Sequence, residues 1–126
     1  MHKPFQNHGH HISFKAAVEG LFFAFKTEIN MKLIVLFALL AILLSLSLPI
    51  SYSEWLVIFL TIMIVFVAEM INSSIEAVCD LITRDWNENV KIAKDVAAGT
   101  VLLASFFALL IGLVIFLPKI INLLIT

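Results

Sequence analysis

The sequence predicts an all-α membrane protein: three transmembrane helices behind an N-terminal amphipathic surface helix, in a single membrane domain spanning 1–126. Three observations carry that reading. Of 126 residues, 62% are hydrophobic and only 13% are charged, too little charge to cover a soluble surface. Two uncharged windows, 33–50 and 96–117, reach the roughly 18 to 20 apolar residues that cross a bilayer. Before them Phe14, Val18, Leu21, Phe25 and Ile29 recur at helical spacing, with Lys15, Glu19 and Lys26 on the other side, as in a helix lying in a membrane interface. The net charge of −1 offers no bulk attraction to nucleic acid. A lone Cys79 excludes an internal disulfide. No cleavable signal peptide is expected, because a polar stretch precedes a long apolar run without a small-residue cleavage site.

Each element follows in order. Residues 1–11 hold His2, His8, His10 and His11 with Pro4 and Gly9 and no apolar period, which reads as a mobile tail whose histidines are incidental. The surface helix is expected over 12–29. Glu28 breaks its pattern by projecting near Leu21 and Phe25 at about 100° per residue, unless the helix has already ended at Thr27. The first span is expected over 31–50, stopped by Pro49. Ser51-Tyr52-Ser53-Glu54 has the form of a capping box opening the second helix, 54–82. Asp85-Trp86-Asn87-Glu88 resembles another cap, so the third helix is expected over 86–117, ending before Pro118. Ala93 with Ala97, and Ala104 with Ala108 and Gly112, recur every four residues, a spacing that lets helices approach closely.

Lys and Arg set the orientation. Lys3, Lys15, Lys26 and Lys32 precede the first span, and Arg84, Lys91 and Lys94 separate the second from the third. The short loop at 51–54 has none, and the C-terminal end only Lys119. The N-terminus and the second loop are therefore expected in the cytoplasm and the C-terminus outside.

The second span poses the chemical question. Its uncharged part, 55–68, covers only ~21 Å of a ~30 Å hydrocarbon core, so the helix must be completed by EMINSSIEAVCD at 69–80. There Glu69, Asn72, Ser73, Glu76 and Asp80 share one face, within an arc of roughly 100°. Carboxylates stacked this closely repel, and near lipid they also lose hydration, so something positive must compensate. Lys91 and Lys94 are candidates on the next helix. A Mg²⁺ ion held by oxygens such as Glu76, Asn72 and Glu28 would balance the charge better, and since Mg²⁺ is usually held by one or two carboxylates together with substrate phosphates, it points to a nucleotide. Ionisable groups at membrane depth are functional candidates, Glu69 and Glu76 above all, whereas Asp80 lies about three turns further along.

These residues resemble a known family. E-x-x-N-S-x-I-E-x-x-x-D after a short span, A-K-D-x-A-A-G opening the next, and G-L-x-x-A-x-x-x-E before the first are similar to the prokaryotic integral-membrane diacylglycerol kinases, which include undecaprenol kinases. The resemblance runs from about Phe14 to the end of the third span. It implies a homotrimer with composite sites between subunits at the cytoplasmic face of the bacterial inner membrane, ATP as phosphoryl donor, Mg²⁺ as cofactor and a lipid alcohol as acceptor. It further implies Glu69 as base on the lipid hydroxyl, Glu28 and Glu76 as metal carboxylates, and Lys94, Asp95 and Glu76 at the nucleotide. Asn72, Ser73, Asp80 and Gly20 would support them, and Lys15 would assist with phosphate. Asn30-Met31-Lys32 and AKDVAAGTVLLA look more like undecaprenol kinases than diacylglycerol kinases. The sequence has no P-loop. A small oligomeric ion- or proton-conducting protein is the alternative, and a structural adaptor a third reading; neither accounts for Lys94-Asp95 opposite a carboxylate stripe.

Overall fold

The computed structural model describes residues 14–125, so the histidine-rich tail lies outside the described residues. Four helices follow one another: α1 (Phe14–Thr27), α2 (Ile29–Ser47), α3 (Tyr52–Ile82) and α4 (Glu88–Ile125). The last three are long and apolar enough to cross a membrane, and the predicted helix order holds throughout.

α1 stops two residues earlier than the expected surface helix, and the reason lies in one residue. The Glu28 amide donates to the Ala24 carbonyl at 3.0 Å, closing the last turn of α1, while its carbonyl accepts from the Lys32 amide at 3.4 Å and opens α2. Its own backbone is extended, with φ −88° and ψ 122°. Glu28 is therefore the corner between two helices, not a member of the apolar face of one. The Thr27 hydroxyl, donating to the Phe23 carbonyl at 2.8 Å, adds to the last turn. Phe25 then anchors the end of α1 on Phe66 of α3, with ring centroids 5.7 Å apart.

α2 ends at Ser47 because Leu48 precedes Pro49. The proline ring pushes the residue before it out of the helical region, and Leu48 is extended at φ −116° and ψ 156°. Next comes the expected capping box. The Ser51 hydroxyl accepts from the Glu54 amide at 3.4 Å, and the Ser51 amide donates to Glu54 Oε2 at 2.7 Å. From that cap α3 runs unbroken for 31 residues, about 46 Å, so the polar stretch does complete the helix begun by the apolar run. Thr83 stops it with extended backbone, its amide donating to the Cys79 carbonyl.

α4 opens on Asn87, whose Oδ1 accepts from the Val90 amide at 3.2 Å. Its far end departs from expectation: Pro118 lies inside the helix, which continues to Ile125. A proline removes one backbone donor and disturbs one turn. Here the turn beyond it is held by Lys119, whose Nζ lies 2.9 Å from Glu54 Oε1 at the start of α3.

α3 and α4 pack together over most of their length, α2 lies against α3, and α2 meets α4 only sparsely. Ala97, 2% exposed, and Ile115 are buried on α4, as Ile58, Val65 and Cys79 are on α3; a side chain as small as that of Ala97 lets helices approach closely. The sparse contact between α2 and α4 leaves a cleft of about 870 Å³ floored by α3.

Candidate functional site

The cleft is apolar for most of its length. Phe37, Ala41 and Leu44 of α2 face Val101, Ala108 and Gly112 of α4 across Ile58, Ile62 and Val65 of α3. At one end its lining changes to Asn30, Glu69 and Asn72. The apolar trough therefore terminates on the first part of the stripe.

Along α3 the stripe grades from buried to open. Glu69 is 1% exposed and Asn72 5%; Ser73 and Glu76 are half-buried and Asp80 is exposed. Three buried atoms along it, Glu69 Oε2, Asn72 Oδ1 and Ser73 Oγ, have no hydrogen-bond partner among the described residues. Buried polar atoms are seldom left unsatisfied, and an orphan costs on the order of 1–3 kcal/mol. Three together on one helical face mark a surface shaped for something that supplies donors or positive charge.

The neighbours of Glu69 come from separate elements. Glu28, at the corner between α1 and α2, and Glu76, two turns along α3, both act on its carboxylate as like charges, while the Asn30 side chain acts on it as a polar partner. Glu69 thus has like-charged neighbours on two elements. Among the described residues no group of three or more His, Cys, Asp or Glu closes into a metal cage. Two carboxylates and orphaned amide and hydroxyl oxygens nevertheless form the hard, all-oxygen donor set that Mg²⁺ takes, with the remaining positions left for phosphate and water.

The two candidates on α4 diverge. Lys94 turns towards α3, its Nζ 2.5 Å from Asp80 Oδ1, and it also feels Glu76. Asp95, about 100° further round the helix, pairs instead with Lys91 on its own face. Only the lysine of the Lys94-Asp95 pair therefore addresses the stripe, and Asp80 is its partner. Lys15 is exposed and lies 3.9 Å from Glu19 on its own helix, about 20 Å along the helix from Glu28. Gly20 makes no close packing contact among the described residues, since a Cβ there would meet nothing within 4 Å. Asn30 is the member of the site whose contact sequence reasoning missed. The signal was available, because an amide at the second position of a spanning helix, two residues past Glu28, sits oddly in an apolar run.

The sequence profile of the prokaryotic diacylglycerol kinases matches residues 15–116. This chain belongs to the prokaryotic diacylglycerol kinase family. Among its relatives, an undecaprenol kinase of Bacillus subtilis is 37% identical over 107 residues, covering 85% of this chain and 87% of the relative. A diacylglycerol kinase of Synechocystis is 33% identical over 115 residues, covering 90% of this chain and 66% of the relative. The family consists of membrane lipid kinases, phosphotransferases with an alcohol as acceptor, and its match spans every element that builds the site. The ion-conducting alternative finds no support among these relatives.

Proposed function

We propose that this member transfers the γ-phosphoryl group of ATP to the hydroxyl of a membrane lipid alcohol, undecaprenol first and diacylglycerol second, with Mg²⁺ as cofactor. The observation that supports it best is the position of Glu69: a buried carboxylate with an unpartnered oxygen, at the polar end of an apolar cleft. A lipid tail fits the trough, and its hydroxyl then meets Glu69 where the helix passes from buried to open surface. The greater similarity to an undecaprenol kinase than to a diacylglycerol kinase favours the polyprenyl alcohol.

In this reading the lipid hydroxyl oxygen attacks the γ-phosphorus as the bond to the bridging β–γ oxygen breaks, ADP leaves, and the hydroxyl proton passes to Glu69. Glu28 and Glu76 would hold the metal, with Asn72 and Ser73 as oxygen partners beside it. Mg²⁺ bound there would supply charge neutralisation of the phosphates. Lys94 exchanges part of its attraction to Asp80 for the nucleotide, Asp95 orients the same turn, and Lys15 on α1 assists with phosphate. Gly20 keeps that face of α1 open near the nucleotide. α1 lies in the cytoplasmic interface, the site faces the cytoplasm under the positive-inside rule, and three copies share their sites at the subunit boundaries. The large apolar area left open on α2 and α4 is what lipid and neighbouring subunits would cover.

The test is purified protein in lipid with ATP, Mg²⁺ and either undecaprenol or diacylglycerol, monitored for ADP and phospholipid. Turnover on undecaprenol is expected to exceed that on diacylglycerol. Absence of product from both alcohols, with the assembly intact, overturns the kinase reading for this chain.

A further inference from the structure

Glu69 faces a difficulty that its own helix does not resolve. A base must keep one oxygen pointed at the incoming hydroxyl, yet Glu28 and Glu76 repel its carboxylate, and Asn72, one turn along, leaves its own Oδ1 unpartnered. A lysine at hydrogen-bonding distance would fix the carboxylate, but as an ion pair it would also weaken it as a proton acceptor. A neutral donor holds position with a much smaller loss of basicity. The described residues provide one from another helix. Asn30 stands in the first turn of α2, where Glu28 is the N-cap; it lines the polar end of the cleft with Glu69 and Asn72, and its side chain acts on the Glu69 carboxylate as a polar partner.

We infer that Asn30 is a positioning residue for the phosphoryl-transfer base, its side-chain amide holding the Glu69 carboxylate so that the unpartnered Oε2 faces the lipid hydroxyl at the mouth of the cleft. The inference rests on the kinase reading above. It also gives the first turn of α2 two tasks, since Glu28 and Asn30 address the site from positions two residues apart. The turn that brings the metal carboxylate also sets the base. Because Asn30 is a neutral amide facing Glu69 and not the Lys94 side of the stripe, its loss acts on the chemical step and leaves nucleotide binding alone.

The experiment uses the full-length protein in lipid with ATP, Mg²⁺ and whichever alcohol the wild type turns over. Asn30→Ala removes the amide without adding charge, and Asn30→Asp keeps its size and shape while removing the donor and adding a carboxylate, so a loss in both variants separates the missing donor from a packing defect or from added repulsion. Both are expected to lower kcat by about ten- to a hundredfold, the range of one lost hydrogen bond to a charged group, with the KM for ATP unchanged. Combined with Glu69→Gln, Asn30→Ala should add little to the loss from Glu69→Gln alone, because the two residues act as a unit. A wild-type kcat in Asn30→Asp overturns the inference, as does a full additional loss in the double variant or a raised KM for ATP. An inactive wild type fails differently: it removes the kinase reading and the inference with it, whereas an active wild type with unaffected variants removes only the role of Asn30.

Discussion

Two carboxylates of α3, Glu54 at its start and Glu69 past its midpoint, are built on opposite terms. At the start, Glu54 is fully engaged: the Ser51 amide and hydroxyl donate to its Oε2 at 2.7 and 2.8 Å, and Lys119 reaches its Oε1 at 2.9 Å. Further along, Glu69 is deeply buried, leaves Oε2 unpartnered and has two carboxylates for neighbours. The first arrangement closes a helix end and ties α4 back beyond Pro118. The second leaves polar capacity unspent in a place where that is costly. A carboxylate whose lone pairs are all taken stabilises the fold; one held open beside a cleft is available for chemistry.

That contrast can be broken from either side. The largest effect is expected from Glu69→Gln, which should lower turnover by about 10²–10⁴-fold, the usual contribution of a positioned base, with an unchanged assembly and a melting temperature no lower than the wild type's, since a repelled buried charge is removed. Retained activity would remove Glu69 as base and make the two carboxylates equivalent. Glu76→Gln comes next: the Mg²⁺ concentration for half-maximal activity should rise by about tenfold or more, and an unaltered metal titration would exclude Glu76 as a ligand. The smallest effect is expected at the satisfied end. Ser51→Ala removes the cap hydroxyl and should lower stability by about 1 kcal/mol, read as a reduced melting temperature, with kcat intact. A loss of turnover there, without loss of structure, would show that the two ends communicate.

How much of this was legible in the sequence depended on how local the cause was. The Ser51-Glu54 cap is a four-residue motif with one geometry, and it appears as expected. The stripe on α3 was equally legible, because helical spacing alone puts Glu69, Asn72, Ser73, Glu76 and Asp80 on one face. The end of α4 was not, because Pro118 reads as a stop unless Lys119 is known to meet Glu54, a residue 65 positions earlier by number. The partners of Lys94 and Asp95 were not legible for a related reason. Adjacent residues on a helix diverge by about 100°, so the two could not both face α3, and the structure pairs Lys94 with Asp80 and Asp95 with Lys91. The meeting of Asn30 with Glu69 at the polar end of the cleft involves two helices, and no periodicity within either reports it.

Since the Glu28 amide ends α1 and its carbonyl begins α2, two rotations at a single residue set the angle between the arm that would rest on the bilayer and the rod that enters it. A fulcrum travels least when a lever swings. Changes in bilayer thickness or curvature that tilt α1 would therefore sweep its far end through a wide arc while the Glu28 carboxylate stays almost where it was.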